Sequence, residues 1–155
     1  MAGKIEARLA ELGIALPEAP APAANYVPYT IGRGTVYIAG QVPFVDGGLR
    51  HHGRVGETYT VEEGYAIARI CGLNILAQVQ AACEGDLDRV VRCLKLGGFV
   101  ACAEGFGEQP EVVNGASDLM VEVFGDAGRH ARFAVGTNAL PRNVPVEVDA
   151  FFEID

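Results

Sequence analysis

The chain has no tryptophan, and Tyr and Phe together make up only 8% of its 155 residues. A core must therefore be built from smaller side chains: half the residues are apolar, and 20 glycines come on top. That apolar content excludes disorder as the main state, and this length suits one domain burying about 68–70% of its unfolded surface. The surplus also points to burial against a second copy of the chain. Positive charge is scarce as well. Twelve Lys and Arg stand against 20 Asp and Glu, a net charge of −8, which opposes binding to nucleic acid or an anionic membrane. A small anion needs only one well-placed cation, so that class stays open. Cysteine is sparse: Cys71, Cys83, Cys93 and Cys102 form no CxxC or CxxH pair, hence no zinc ligand set. Three lie in apolar stretches, as buried free thiols of a reducing compartment do. No run approaches 18 apolar residues, and Met1–Leu12 carries Lys4, Glu6, Arg8 and Glu11 in place of a signal-peptide core. A soluble cytoplasmic protein is expected.

What is present reads as an α+β chain. Ile5, Leu9 and Leu12 mark a short amphipathic helix, and Pro17, Pro20, Pro22 and Pro28 an extended connector, so residues 1–24 precede a single domain over 25–155. Alternation gives a strand over Thr35–Val42, followed by an Asp46-Gly47-Gly48 turn. Thr60 and Glu63 form a capping box opening a helix to about Cys83, with Ala66, Ile70, Leu73, Ala77 and Ala81 expected on its buried face. A strand over Arg89–Ala101, a helix over Val112–Phe124 and strands over Ala131–Thr137 and Pro145–Ile154 complete the pattern. Its fold class is a mixed sheet with two main helices packed on one face.

Few residues announce chemistry. Arg132 shares a strand face with Ala134 and Gly136, whose small size leaves room for a guanidinium to fork onto a carboxylate; an Arg that merely snorkels or pairs with a nearby acid is the commoner case. Glu147 and Asp149 lie opposite the apolar Val146, Val148, Ala150 and Phe152 on the last strand. If the last two strands form a simple hairpin turning near Arg142-Asn143, Glu147 falls five residues from Arg132, roughly 16 Å along the strand. A site using both then needs another connectivity or a subunit boundary. His51-His52 reads as loop; His130 beside Arg129 and Arg132 is more suggestive, although a helix-to-strand turn is an ordinary place for a histidine. Gly32-Arg33-Gly34 lacks a dinucleotide setting, and Ser117 lies inside a helix pattern, away from any nucleophile elbow.

Read together, three segments resemble the Rid (YjgF-like) family of reactive-intermediate deaminases. They are Val36-Tyr37-Ile38-Ala39-Gly40-Gln41-Val42-Pro43, Gly85-Asp86-Leu87-Asp88-Arg89-Val90-Val91, and Ala131-Arg132-Phe133-Ala134-Val135 through Ala139-Leu140-Pro141 to Val146-Glu147-Val148. The likeness spans about residues 25–155. The N-terminal helix and Asn114-Gly115-Ala116-Ser117-Asp118-Leu119 look like the longer subgroup, often labelled "putative endoribonuclease".

The resemblance implies a chorismate-mutase-like fold and a homotrimer with clefts between subunits. It implies hydrolysis of 2-imino or enamine acids to 2-keto acids and ammonia. Arg132 would grip the substrate carboxylate and Glu147 would activate water, while Tyr26, Gly40, Asn114 and Ala134 would bind substrate. No metal or organic cofactor is implied, because an imine carbon is already electrophilic. Ala39 replaces a usual serine, Ala131 a proline and Phe133 a serine. Two other readings remain: a non-enzymatic binder of small carboxylates such as 2-keto or amino acids, favoured by the missing hydroxyl at Ala39, and an endoribonuclease, disfavoured by the charge.

Overall fold

The structure, a computed structural model, describes residues 2–155. Five strands form one sheet in the order β1-β2-β7-β5-β6. β1 (Tyr29–Gly32) and β2 (Thr35–Gln41) pair antiparallel. Arg33 and Gly34 between them both take positive φ, 49° and 74°, the backbone a two-residue hairpin turn requires. Gly32-Arg33-Gly34 is thus a corner. Asp46-Gly47 serves likewise between β3 (Phe44–Val45) and β4 (Gly48–Leu49), a separate two-stranded ribbon.

The expected hairpin of the last two strands does not form. β6 (Ala131–Thr137) pairs parallel with β5 (Val90–Ala101), whereas β7 (Val146–Ile154) lies antiparallel between β2 and β5. The segment from Asn138 to Pro145 is long enough to cross the end of β5. Crossing puts β7 in the sheet centre, where one of its faces, Val146, Val148, Ala150 and Phe152, is fully buried.

Two helices cover one face of the sheet. α2 (Val61–Ala82) starts at the expected capping box: Glu63 N donates to Thr60 Oγ1 at 3.1 Å, and Thr60 N donates to Glu63 Oε2 at 2.8 Å. Its buried side differs from expectation. Ala77 is buried as expected, but so are Ile67, Ala68, Cys71, Ile75, Leu76 and Val79, whereas Ala66 and Ala81 are exposed and Ile70 and Leu73 only half-buried. A helix this rich in small apolar residues has no single apolar stripe, and α2 packs against both the sheet and the next helix. α3 (Gln109–Phe124) begins three residues earlier than expected, with Pro110 in its first turn. It buries Val113, Ala116, Met120 and Val123 as its periodicity predicts. Gly115 is required where the helices cross, since a Cβ there would collide with the Tyr65 carbonyl.

α1 (Lys4–Glu11) buries Leu9 in the same core. Its first amides, Lys4 N and Ile5 N, each donate to the Asp88 carboxylate at 2.8 Å. Those bonds hold the Asp88 carboxyl below its usual range. Two polar side chains of α2 hold the chain on either side of one cleft. Gln78 donates to Pro20 O at 2.7 Å, and Asn74 donates to Val42 O and Phe44 O at 3.0 and 2.9 Å.

The other sheet face has no helix over it. It carries Tyr37 against Phe151, Phe99 against Phe133 and Lys95 over the Phe133 ring. Tyr37, Phe99 and Val135 are exposed there. Among the described residues no helix is long and apolar enough to cross a membrane.

Candidate functional site

Glu147 projects from β7 into a cleft of about 570 Å³ lined also by Ala23, Tyr26, Gly40, Leu49 and Arg142. A smaller hollow of about 170 Å³ adjoins it under Pro20–Pro28, again lined by Tyr26, Gly40 and Arg142. The approach of Gly40 to Glu147 comes from a β-bulge. Ile38 pairs with Ala150 and Gln41 with Val148, so β2 carries one extra residue there. The bulge turns Gly40 onto the carboxylate so closely that a Cβ would sit 2.6 Å from Glu147 Oε1. Burial, and then the charge of Asp149 two residues along the same face, raise the Glu147 carboxyl above the usual range. It titrates closer to neutrality than a free glutamate, as a proton carrier should.

Arg142 is the cation at this cleft. Its backbone is left-handed at φ 56°, its carbonyl accepts from His52 Nδ1 at 2.9 Å, and its guanidinium forms no ion pair among the described residues.

Arg132 lies elsewhere. On the edge strand β6 it pairs with Leu96 and points to the helix side, with Ala134 next along that face. Pro110, Asn114 and Ser117, at i, i+4 and i+7 on α3, face it. Arg132 Nη1 donates to Asn114 Oδ1 at 2.8 Å and to Ser117 Oγ at 3.1 Å, and Nη2 reaches Pro110 O at 3.4 Å. Ser117 Oγ lies 2.8 Å from His130 Nε2, and His130 Nδ1 lies 2.7 Å from Gly128 O. Desolvation first, and then Arg132, keep the His130 pKa below the ordinary histidine value. Phe133 points to the opposite face, as strand alternation predicts, and packs on Phe99.

The six expected residues therefore fall into two groups: Tyr26, Gly40 and Glu147 in one, Asn114, Arg132 and Ala134 in the other. One chain does not unite them. Glu147 is level with Phe99 and Val135 and two strands from β6; Arg132 is three residues further along. At sheet spacings their Cα atoms are about 14 Å apart, and their side chains leave opposite faces. Sequence reading missed Ser117 and Arg142 as members of these groups, and noted His130 beside Arg132 without its tie to Ser117. Ser117 and His130 sit on different elements, and Arg142 read only as a turn residue.

The chain matches the family described as "YjgF/chorismate mutase-like, putative endoribonuclease" over residues 6–154, so the match takes in most of α1 as well as the domain that follows. It is 49% identical to Protein TCP17 of Trypanosoma cruzi, over 99% of this chain and 96% of that one. The Agrobacterium tumefaciens protein Atu1372, of unknown function, is 50% identical over 97% of this chain and 92% of its own, with a TM-score of 0.90. A Shewanella oneidensis protein described as a "putative endoribonuclease" is 39% identical, with a TM-score of 0.94, over 98% of this chain and all of its own. The folded topology and the full-length match agree with the three segments first noted, and the chain belongs to the YjgF/chorismate mutase-like, or Rid, family.

Proposed function

We propose that the protein hydrolyses small 2-imino or enamine acids to 2-keto acids and ammonia, as a homotrimer whose clefts join Glu147 of one subunit to Arg132 of the next. The observation that carries this reading is the division of the site. A carboxylate with no side-chain partner among the described residues, its pKa raised by burial, lies in a mostly apolar cleft, and a guanidinium held by neutral acceptors lies at a sheet edge about 14 Å away. Neither half suffices alone. The aromatic face left bare by the helices supports burial against copies of the chain.

In the joined cleft the guanidinium of Arg132 holds the substrate carboxylate. Glu147 takes a proton from water as the oxygen attacks C2 of the C=N bond. Glu147 passes that proton to the nitrogen, giving a neutral carbinolamine; it then takes the carbinolamine hydroxyl proton and relays it to the amino nitrogen as the C–N bond breaks, so that ammonia leaves and C2 becomes the carbonyl of the 2-keto acid. The chain of events consumes one water and leaves Glu147 ionised again. The endoribonuclease label borne by relatives suits this chain less well, because a net charge of −8 opposes a polyanion.

Subunit mixing tests the proposal. Arg132→Ala and Glu147→Gln should each abolish ammonia release from an imine made in situ by an amino-acid oxidase. Equal mixtures reassembled together should recover about a quarter of wild-type activity, the fraction of interfaces that pair an intact Glu147 with an intact Arg132. No recovery on mixing sinks the shared site, and a wild type no faster than Arg132→Ala sinks the activity.

A further inference from the structure

We infer that Ser117 and His130 are positioning residues for Arg132: they occupy one corner of its guanidinium, so that the Nε–Nη2 edge faces an incoming carboxylate. The inference rests on the proposed role of Arg132.

The argument is one of proton direction along a hydrogen-bond chain. Gly128 O can only accept, so His130 Nδ1 carries the hydrogen of this 2.7 Å contact. A neutral imidazole then presents a bare Nε2, and Ser117 donates its hydroxyl hydrogen to it across 2.8 Å. With its hydrogen so directed, Ser117 Oγ offers lone pairs to Arg132 Nη1 at 3.1 Å, and Asn114 Oδ1 takes the other Nη1 hydrogen at 2.8 Å. Both Nη1 hydrogens are used. Nε has no partner among the described residues, and Nη2 has only the long contact to Pro110 O. The free side edge offers the two parallel N–H groups that grip a carboxylate.

The chain has one polarity only while His130 is neutral. A protonated His130 turns an N–H toward Ser117 Oγ, displaces the hydroxyl hydrogen and places a second cation beside Arg132. The surrounding charges do little to offset this. Arg129 is engaged with Asp126, Asp118 accepts from Tyr65, Glu122 is paired with Arg69, and burial already opposes protonation of His130. Protonation of His130 thus undoes the hydrogen-bond polarity that aims Arg132 while its charge attracts the anion, so carboxylate affinity should change with pH through the titration of His130.

The test uses 2-oxobutyrate, a stable carboxylate product analogue, and reads its Kd by calorimetry from pH 5 to pH 8. It is run on the Glu147→Gln background, which removes the titrating group of the other half. Ser117→Ala should weaken binding about tenfold at pH 7.5, the effect of one hydrogen bond to a charged group. Ser117→Thr, which keeps the hydroxyl, should restore it. His130→Gln should flatten the pH dependence of Kd over this range. In otherwise wild-type protein, Ser117→Ala should raise KM for the imine far more than it lowers kcat. Unchanged Kd in Ser117→Ala, a pH dependence that persists in His130→Gln, or a loss confined to kcat overturns the inference while leaving the shared site standing. If Arg132→Ala on the Glu147→Gln background binds 2-oxobutyrate as tightly as Glu147→Gln alone, the carboxylate role of Arg132 itself is wrong.

Discussion

Among the described residues the Glu147 carboxylate has no hydrogen-bond partner, whereas the Arg132 guanidinium reaches Asn114, Ser117 and Pro110. Glu147 is raised by desolvation, while Arg132 is held in place by neutral acceptors that leave its charge intact. The difference matches two chemical tasks. A group that must gain and lose a proton needs a setting in which both forms are accessible, so an unpaired, partly desolvated carboxylate serves. A group that must recognise a fixed charge needs aim, and neutral hydrogen bonds supply it without cancelling the charge.

The largest expected effect comes from removing the carboxylate. Glu147→Gln should lower kcat by about 10²–10⁴-fold, the usual contribution of a general base, while the Kd for 2-oxobutyrate changes little. The same substitution should raise Tm at neutral pH. The folded carboxyl titrates above its unfolded value, so its ionised form costs stability. That cost is absent below the unfolded pKa, about 4.3, and complete once pH exceeds the folded value. The gain in Tm should therefore disappear in acid. A variant that loses turnover without gaining stability would show that Glu147 has a stabilising partner, and would erase the contrast with Arg132.

Next in size is Gly40→Ala. A methyl group there would lie 2.6 Å from Glu147 Oε1 and 3.0 Å from its Cδ, so the carboxylate must move. Misplacing a catalytic group by this much should cost about tenfold to a hundredfold in kcat, with carboxylate affinity retained because the Arg132 half is untouched. Equal losses in kcat and affinity would mean that the bulge at Gly40 supports both halves.

Local features were legible in the sequence because local chemistry sets them. The Thr60–Glu63 capping box, the opposed faces of β7 and the separation of Arg132 from Phe133 all follow from spacing along the chain. Strand order was not legible. Nothing within Ala131–Ile154 says that β7 must cross β5 to reach the centre; that depends on its neighbours' apolar faces, which only the assembled sheet defines. The buried side of α2 was obscured by its uniformity, since nearly any stripe along it is apolar. The link between Ser117 and His130 escaped for a third reason. His130 drew notice for its neighbours in the chain, but its tie to Ser117 is a contact between α3 and the residue before β6, which no spacing along the chain encodes.

The smallest effect concerns Asp149, and it tests what sets the proton affinity of Glu147. Desolvation is the larger cause of its raised pKa, and the charge of Asp149 the lesser. Asp149 is itself raised by burial, although Lys95 and the Gly97 amide favour its ionised form. Asp149→Asn removes the like charge but leaves the burial. The acid limb of kcat/KM, which reports the free enzyme, should move to lower pH yet stay above the range of an exposed glutamate. Arg132→Lys, by contrast, should lower the height of the profile without moving that limb, because its charge belongs to the other half. If Asp149→Asn left the limb in place, burial alone would set the base. If Arg132→Lys shifted the limb as well, the two halves would be electrostatically coupled in the assembled cleft, and Glu147 could no longer be treated as tuned by its own subunit.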